Sequence, residues 1–86
     1  MTLINDQNDE VAKDLGFKVQ DHPRGRHHAH SAYELNQQRV WLKPGGNTDL
    51  WRVGTWDNER KRYVNQATVR GLVAALNEAR NRDAGN

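Results

Sequence analysis

The chain has no cysteine among its 86 residues. That absence excludes a disulfide framework, a thiolate zinc site and a cysteine nucleophile, and it fits a reducing, cytoplasmic location. Apolar residues are scarce as well. Hydrophobic side chains make up 35% of the chain against 28% charged, below the usual share for a globular domain. No apolar run approaches the length needed to span a bilayer, so no membrane is expected as a partner. The N-terminal MTLINDQNDE has neither a basic start nor an apolar stretch and does not read as a secretory signal. Enzyme signatures are missing too. No glycine-rich loop sits between a strand and a helix to cradle a phosphate, no serine occupies a nucleophile elbow, and no carboxylate pair has a recognisable setting. No cofactor is expected.

A chain this short forms one domain, residues 1–86, with a thin core. Its six aromatics, three of them tryptophan, must carry much of the burial. A thin core also favours covering part of an apolar face with a partner or with a second copy as a homodimer. The formal net charge of +2 is unevenly spread. Residues 1–16 hold Asp6, Asp9, Glu10 and Asp14 against Lys13, whereas residues 17–82 hold twelve lysines and arginines against six carboxylates. An acidic N-terminal segment on a basic body suggests an anionic partner such as nucleic acid; an ordinary solvated surface is the plain alternative.

The densest stretch is RVWLKPGGNTDLWRVGTWDNERKRY, residues 39–63, which holds all three tryptophans. It reads as consecutive β-strands joined by turns. Along the whole chain, Asp6 or Asn8 can cap a short helix running to about Leu15, with Ile4, Val11 and Leu15 near one face and Gly16 as its stop. Phe17-Lys18-Val19-Gln20 alternates as a half-buried strand does, and Pro23 and Gly25 mark a turn. Residues 32–36 alternate with Tyr33 and Leu35 on one face. Val40 and Leu42 share a face but are out of phase with that pair. A continuous strand cannot change phase, so a tight turn or bulge is expected at Asn36-Gln37-Gln38. Pro44-Gly45-Gly46-Asn47 is a turn, residues 49–56 the longest strand, Asp57-Asn58-Glu59 another turn, and residues 60–64 a shorter strand. The spacing of Val69, Leu72, Val73, Leu76 and Ala79 predicts a final helix from Asn65 or Gln66 to about Asn81, with Gly71 as a weak spot inside it. Residues 1–5 and 83–86 are expected to be flexible tails. The order gives an α+β fold: a twisted antiparallel sheet of three to five strands with both helices on one face and the other face left to solvent or to a partner.

That open face is the first place to look for function. With Val40 and Leu42 inward, Arg39, Trp41 and Lys43 point outward, and Arg52 on the next strand can join them, with Arg60, Lys61 and Arg62 at the edge. An aromatic among cations suits nucleic acid, since bases stack on the ring and phosphates pair with the charges. The same residues would serve as anchors of a protein interface, as in a small phage- or plasmid-type inhibitor docking on a host protein. They would equally form a self-contained packing of cationic stems over the indole. The second place is the histidine group His22, His27, His28 and His30. His28 and His30 would share a face if extended, but only Asp21 is at hand to complete a ligand set, and no metal site is expected. Histidine can also act as a general acid or base near neutral pH, or sit in a solvated loop.

Gly16-Phe17-Lys18-Val19, Arg24-Gly25-Arg26-His27-His28 and Thr68-Val69-Arg70-Gly71-Leu72 together resemble the small HicA-type toxins. That resemblance implies the α-β-β-β-α fold of double-stranded-RNA-binding domains, cleavage of messenger RNA through His27, and a HicB antitoxin as partner. Arg26 departs from the family's pattern, which has a small hydroxyl residue there. The residues themselves favour a binding module for nucleic acid centred on Arg39, Trp41, Lys43 and Arg52. A protein-binding module and a HicA-like ribonuclease are the alternatives.

Overall fold

The computed structural model describes residues 4–20, 32–43 and 49–85. An N-terminal helix α1 (Ile4–Asp14) is followed by five strands: β1 (Lys18–Gln20), β2 (Ala32–Leu35), β3 (Gln38–Leu42), β4 (Leu50–Asp57) and β5 (Arg62–Arg70). A C-terminal helix α2 (Leu72–Ala84) closes the chain. The strands form one sheet in chain order, each antiparallel to the next. Helix α2 lies across β2 to β5 and touches α1, which packs on β1. The α+β architecture is therefore the expected one, with both helices on one face. The expected turns around Pro23 and Pro44 and all four histidines, His27 among them, lie outside the described residues. No helix among the described residues is long and apolar enough to cross a membrane.

Helix α1 ends as its glycine predicts. Gly16 has φ 93°, its amide donates to the Lys13 carbonyl at 3.0 Å, and the Phe17 amide reaches back to the Ala12 carbonyl at 2.9 Å. These are the two bonds of a Schellman motif, which only a residue free to take positive φ closes without strain. The face that α1 buries differs from the expected one. Ala12 and Asp9 point into the protein, and Val11 is exposed. The Tyr33 hydroxyl donates to Asp9 Oδ1 at 2.8 Å in a buried bond that ties α1 to β2.

The phase change between Tyr33 and Val40 is a two-residue turn, Asn36-Gln37, with Asn36 at φ 54°. It brings Tyr33 opposite Val40 on the inner face. Val40 in turn faces Val53, and Leu42 faces Trp51. The core is built from these inward residues, Tyr33, Val40, Trp51 and Val53, with Ala12, Phe17, Ala75, Leu76 and Ala79 from the helical side. Tyr33 and Trp51 stack with ring centroids 5.9 Å apart. Trp51 is thus the buried tryptophan; Trp41 and Trp56 belong to the other face and are half-exposed.

The largest correction concerns residues 65–70. These do not begin a helix. They continue β5, which at nine residues is the longest strand, longer than β4 with eight. Thr68 and Val69 are β-branched and favour a strand over a helix. The paired backbone from Leu50↔Arg70 to Val53↔Ala67 outweighs a helical spacing that Val69 satisfied by coincidence. Gly71 is not a flaw inside a helix. It is the corner where the strand stops, at φ 89°, immediately before α2. Its amide donates to the Asp49 carbonyl at 2.7 Å. Helix α2 accordingly buries Ala75, Leu76 and Ala79 and leaves Val73 exposed. It also runs on to Ala84, through part of the expected tail.

Candidate functional site on the open sheet face

Strict alternation carries the outward residues of β3 and β4 to the side away from the helices. Trp41 sits directly opposite Arg52, and Arg39 opposite Gly54. Lys43 continues the alternation, its amide donating to the Leu50 carbonyl at 3.0 Å. The expected quartet of Arg39, Trp41, Lys43 and Arg52 therefore shares one face. Among the described residues no helix covers it.

Strand β5 adds to this face by an irregularity. Its register runs Val53↔Ala67 and then Thr55↔Val64. Gly54 alone thus faces two residues, Asn65 and Gln66, and Asn65 takes φ 54°. A bulge of this kind reverses which face later side chains occupy. Ala67 and Val69 point inward; without the bulge Tyr63 would too. With it, Tyr63 joins Trp56, its cross-strand partner, on the outer face. The Asn65 carbonyl is held from below by Arg82 Nη1 at 2.7 Å.

The result is an aromatic cluster. The Tyr63 ring lies 5.5 Å from Trp41 and 5.0 Å from Trp56 by centroid, the latter edge-on. Trp41 leans across β4 over Gly54, where a Cβ would come within 3.0 Å of its Cη2 atom and 3.1 Å of Tyr63 Cβ. Glycine in mid-strand is the space that lets the indole lie flat. Arg39 places its guanidinium carbon 5.5 Å from the Tyr63 ring centroid. Its Nη1 reaches the Tyr63 hydroxyl at a long 3.4 Å, and its Nε is buried with no hydrogen-bond partner. The Arg39 cation therefore rests on the tyrosine.

The other cations differ in how committed they are. Arg52 Nη1 donates to Gln66 Oε1 at 2.9 Å on the surface. Arg70, across from Leu50, pairs with Asp49 at 3.0 Å, both side chains well exposed. Exposed pairs of this sort contribute little and exchange readily for another anion. Arg60, Lys61 and Arg62 are not grouped with Trp41. Arg60 and Lys61 belong to the β4–β5 turn. There Asp57 Oδ1 accepts from the amides of Glu59 and Arg60 at 3.0 and 3.1 Å, Arg60 lies 3.6 Å from Asp57, and Lys61 Nζ donates to Asn58. Arg62 is opposite Asp57, one step from the Trp56↔Tyr63 pair, so alternation sends it away from the aromatic face.

Tyr63, Trp56 and Gly54 join this face and were not among the expected residues. Gly54 carries a readable signal, since an isolated glycine between Val53 and Thr55 marks close approach. Tyr63 does not, because its face depends on a bulge two residues away. No protein-family model, curated protein or solved structure matches this chain.

Proposed function

We propose that this domain binds single-stranded nucleic acid across the open face of its sheet. The observation that carries the reading is the half-exposed Trp41–Tyr63–Trp56 cluster, held on a face that neither described helix covers and bordered by Arg39, Lys43, Arg52 and Arg70. Bases stacking on such rings gain about 1–3 kcal/mol each, without regard to sequence. Cations beside the rings neutralise the backbone phosphates. A duplex hides its base faces inside its own stack, so a ring platform favours an unpaired strand. Lys43, Arg52 and Arg70 lie toward one end of the face and are the phosphate contacts; Arg60 and Lys61 are a second basic group at the hairpin end.

Tryptophan emission, followed while an unstructured oligouridine or oligothymidine is added, tests this directly. Quenching is expected from Trp41 and Trp56, with buried Trp51 as a silent background. Three phosphate contacts predict that log affinity falls with log salt with a slope near −2, from about −0.7 per phosphate on a single strand. The Trp41→Ala, Arg52→Ala double variant should lose most of the binding; full retention would remove the site. A second reading, a protein-binding module, draws on one observation. Among the described strands β5 is the longest and lies at an edge of the sheet, and an edge strand can be extended by a strand from another chain. That reading predicts no quenching by any oligonucleotide and only a mild effect of salt on partner binding.

A further inference from the structure

The hairpin end of the face holds a depression that stacking and phosphate contact leave unexplained. Glu34, Asn36, Gln37, Arg39, Trp56 and Tyr63 line it, around a volume of about 380 Å³. This is at the small end of the range for ligand sites, roughly 300–1,000 Å³. Glu34 is the cross-strand neighbour of Arg39. Yet the two form no ion pair, and Glu34 makes none with any other described residue. Arg39 turns to the tyrosine instead and keeps Nε without an acceptor. A carboxylate with no ion-pair partner among the described residues and the Arg39 guanidinium therefore line the same hollow, beside the half-exposed ring of Trp56.

A carboxylate at this spot repels phosphate, so the occupant is an uncharged group with donors of its own. Among the nucleobases, guanine fits this set. Its N1–H and N2–H₂ are adjacent donors suited to one carboxylate, and its O6 and N7 are adjacent acceptors suited to a guanidinium. Adenine, cytosine and uracil each offer one donor group on the Watson–Crick edge and leave half of the carboxylate unmatched. We infer that this depression takes a single unpaired guanine from the bound strand, with Trp56 stacking on it, Glu34 accepting from its Watson–Crick edge and Arg39 donating to its acceptor edge. Unstacked bases are read in this way in single strands. The inference rests on the single-strand reading above and adds a base preference to it.

The test uses the full chain and tryptophan emission with three ten-nucleotide strands: oligouridine, the same strand with one central guanosine, and the same strand with one central adenosine. The guanosine strand is expected to bind about tenfold more tightly than the adenosine strand, in line with one good bidentate base contact. In Glu34→Gln, whose fold is checked by circular dichroism, that ratio should fall to about one. Equal binding of the guanosine and adenosine strands by the unaltered chain overturns the guanine assignment and leaves the stacking face standing. A guanosine preference that survives Glu34→Gln overturns the assignment to this depression. Failure of all three strands to bind overturns the single-strand reading together with the inference.

Discussion

Replacing Gly54 by alanine is expected to disturb the outer aromatic cluster and spare the core. A methyl group there would meet Trp41 Cη2 at 3.0 Å, Tyr63 Cβ at 3.1 Å and Trp41 Cζ3 at 3.2 Å. None of these atoms belongs to the inner face, so Val40, Val53 and Trp51 keep their places. Tyr63 Cβ is fixed by its backbone, so β5 gives way there by a few tenths of an ångström while the indole tilts. Overpacking by one methyl group costs about 1–3 kcal/mol, and taking a glycine out of a strand returns about 0.5–1. The net loss is about 1 kcal/mol, which for a domain of this size lowers Tm by about 4–8 °C. A tilted Trp41 loses much of one base stack, so affinity for oligouridine should drop about tenfold. Urea unfolding, near-ultraviolet circular dichroism and the emission titration read the three effects separately. A variant with unchanged stability, aromatic signal and affinity would refute the argument that Trp41 rests on Gly54. Lost stability with unchanged affinity would remove Trp41 from the site.

Other perturbations separate fold from function. Arg52→Ala alone should weaken oligonucleotide binding and reduce the salt slope by about 0.7, the share of one phosphate contact, with little change in Tm. Gly71→Ala should destabilise by about 1–2 kcal/mol in urea unfolding, because φ is 89° while the space around the glycine is open, so the cost is purely backbone. Leu76→Ala should cost about 2–5 kcal/mol by the same measurement, since Leu76 is fully buried between α2 and the sheet. Tyr33→Phe should cost about 1 kcal/mol through loss of the bond to Asp9.

Much of the fold is legible in the sequence where a single residue type has one physical use. Gly16 stops α1 because a left-handed residue must follow that helix. The clash of phase between Tyr33–Leu35 and Val40–Leu42 forces the Asn36-Gln37 turn. The same alternation sends Arg39, Trp41 and Lys43 outward and pairs Trp41 with Arg52. What could not be read is where two periodicities overlap. Val69, Leu72, Val73, Leu76 and Ala79 fit a helix, while Ala67 and Val69 fit strand β5, and only the ladder on β4 decides between them. The spacing rule also picked Val11 for the buried face of α1. Asp9 took that position because Tyr33 supplies its hydrogen bond, a contact across 24 residues that no local pattern reveals.

The bulge at Asn65 explains why the candidate site was only half visible. Along β3 and β4, Trp56 included, the outer face follows from alternation alone. On β5, membership depends on whether Asn65 is counted in the ladder or skipped. Skipping it turns Tyr63 from a core-facing residue into the centre of the aromatic cluster, and sends Arg62 the other way. The conformation is affordable because asparagine tolerates the left-handed region better than most residues do. Arg82, anchored to Glu78 at 2.8 Å, holds the displaced carbonyl from the helical side. Helix α2 thus contacts the sheet at its irregular point, on the side opposite the ring of Tyr63. The thin core and the outer cluster are consequently linked: the helix that seats Leu76 and Ala79 also carries Arg82, whose bond to the Asn65 carbonyl braces the bulge that brings Tyr63 beside Trp41 and Trp56.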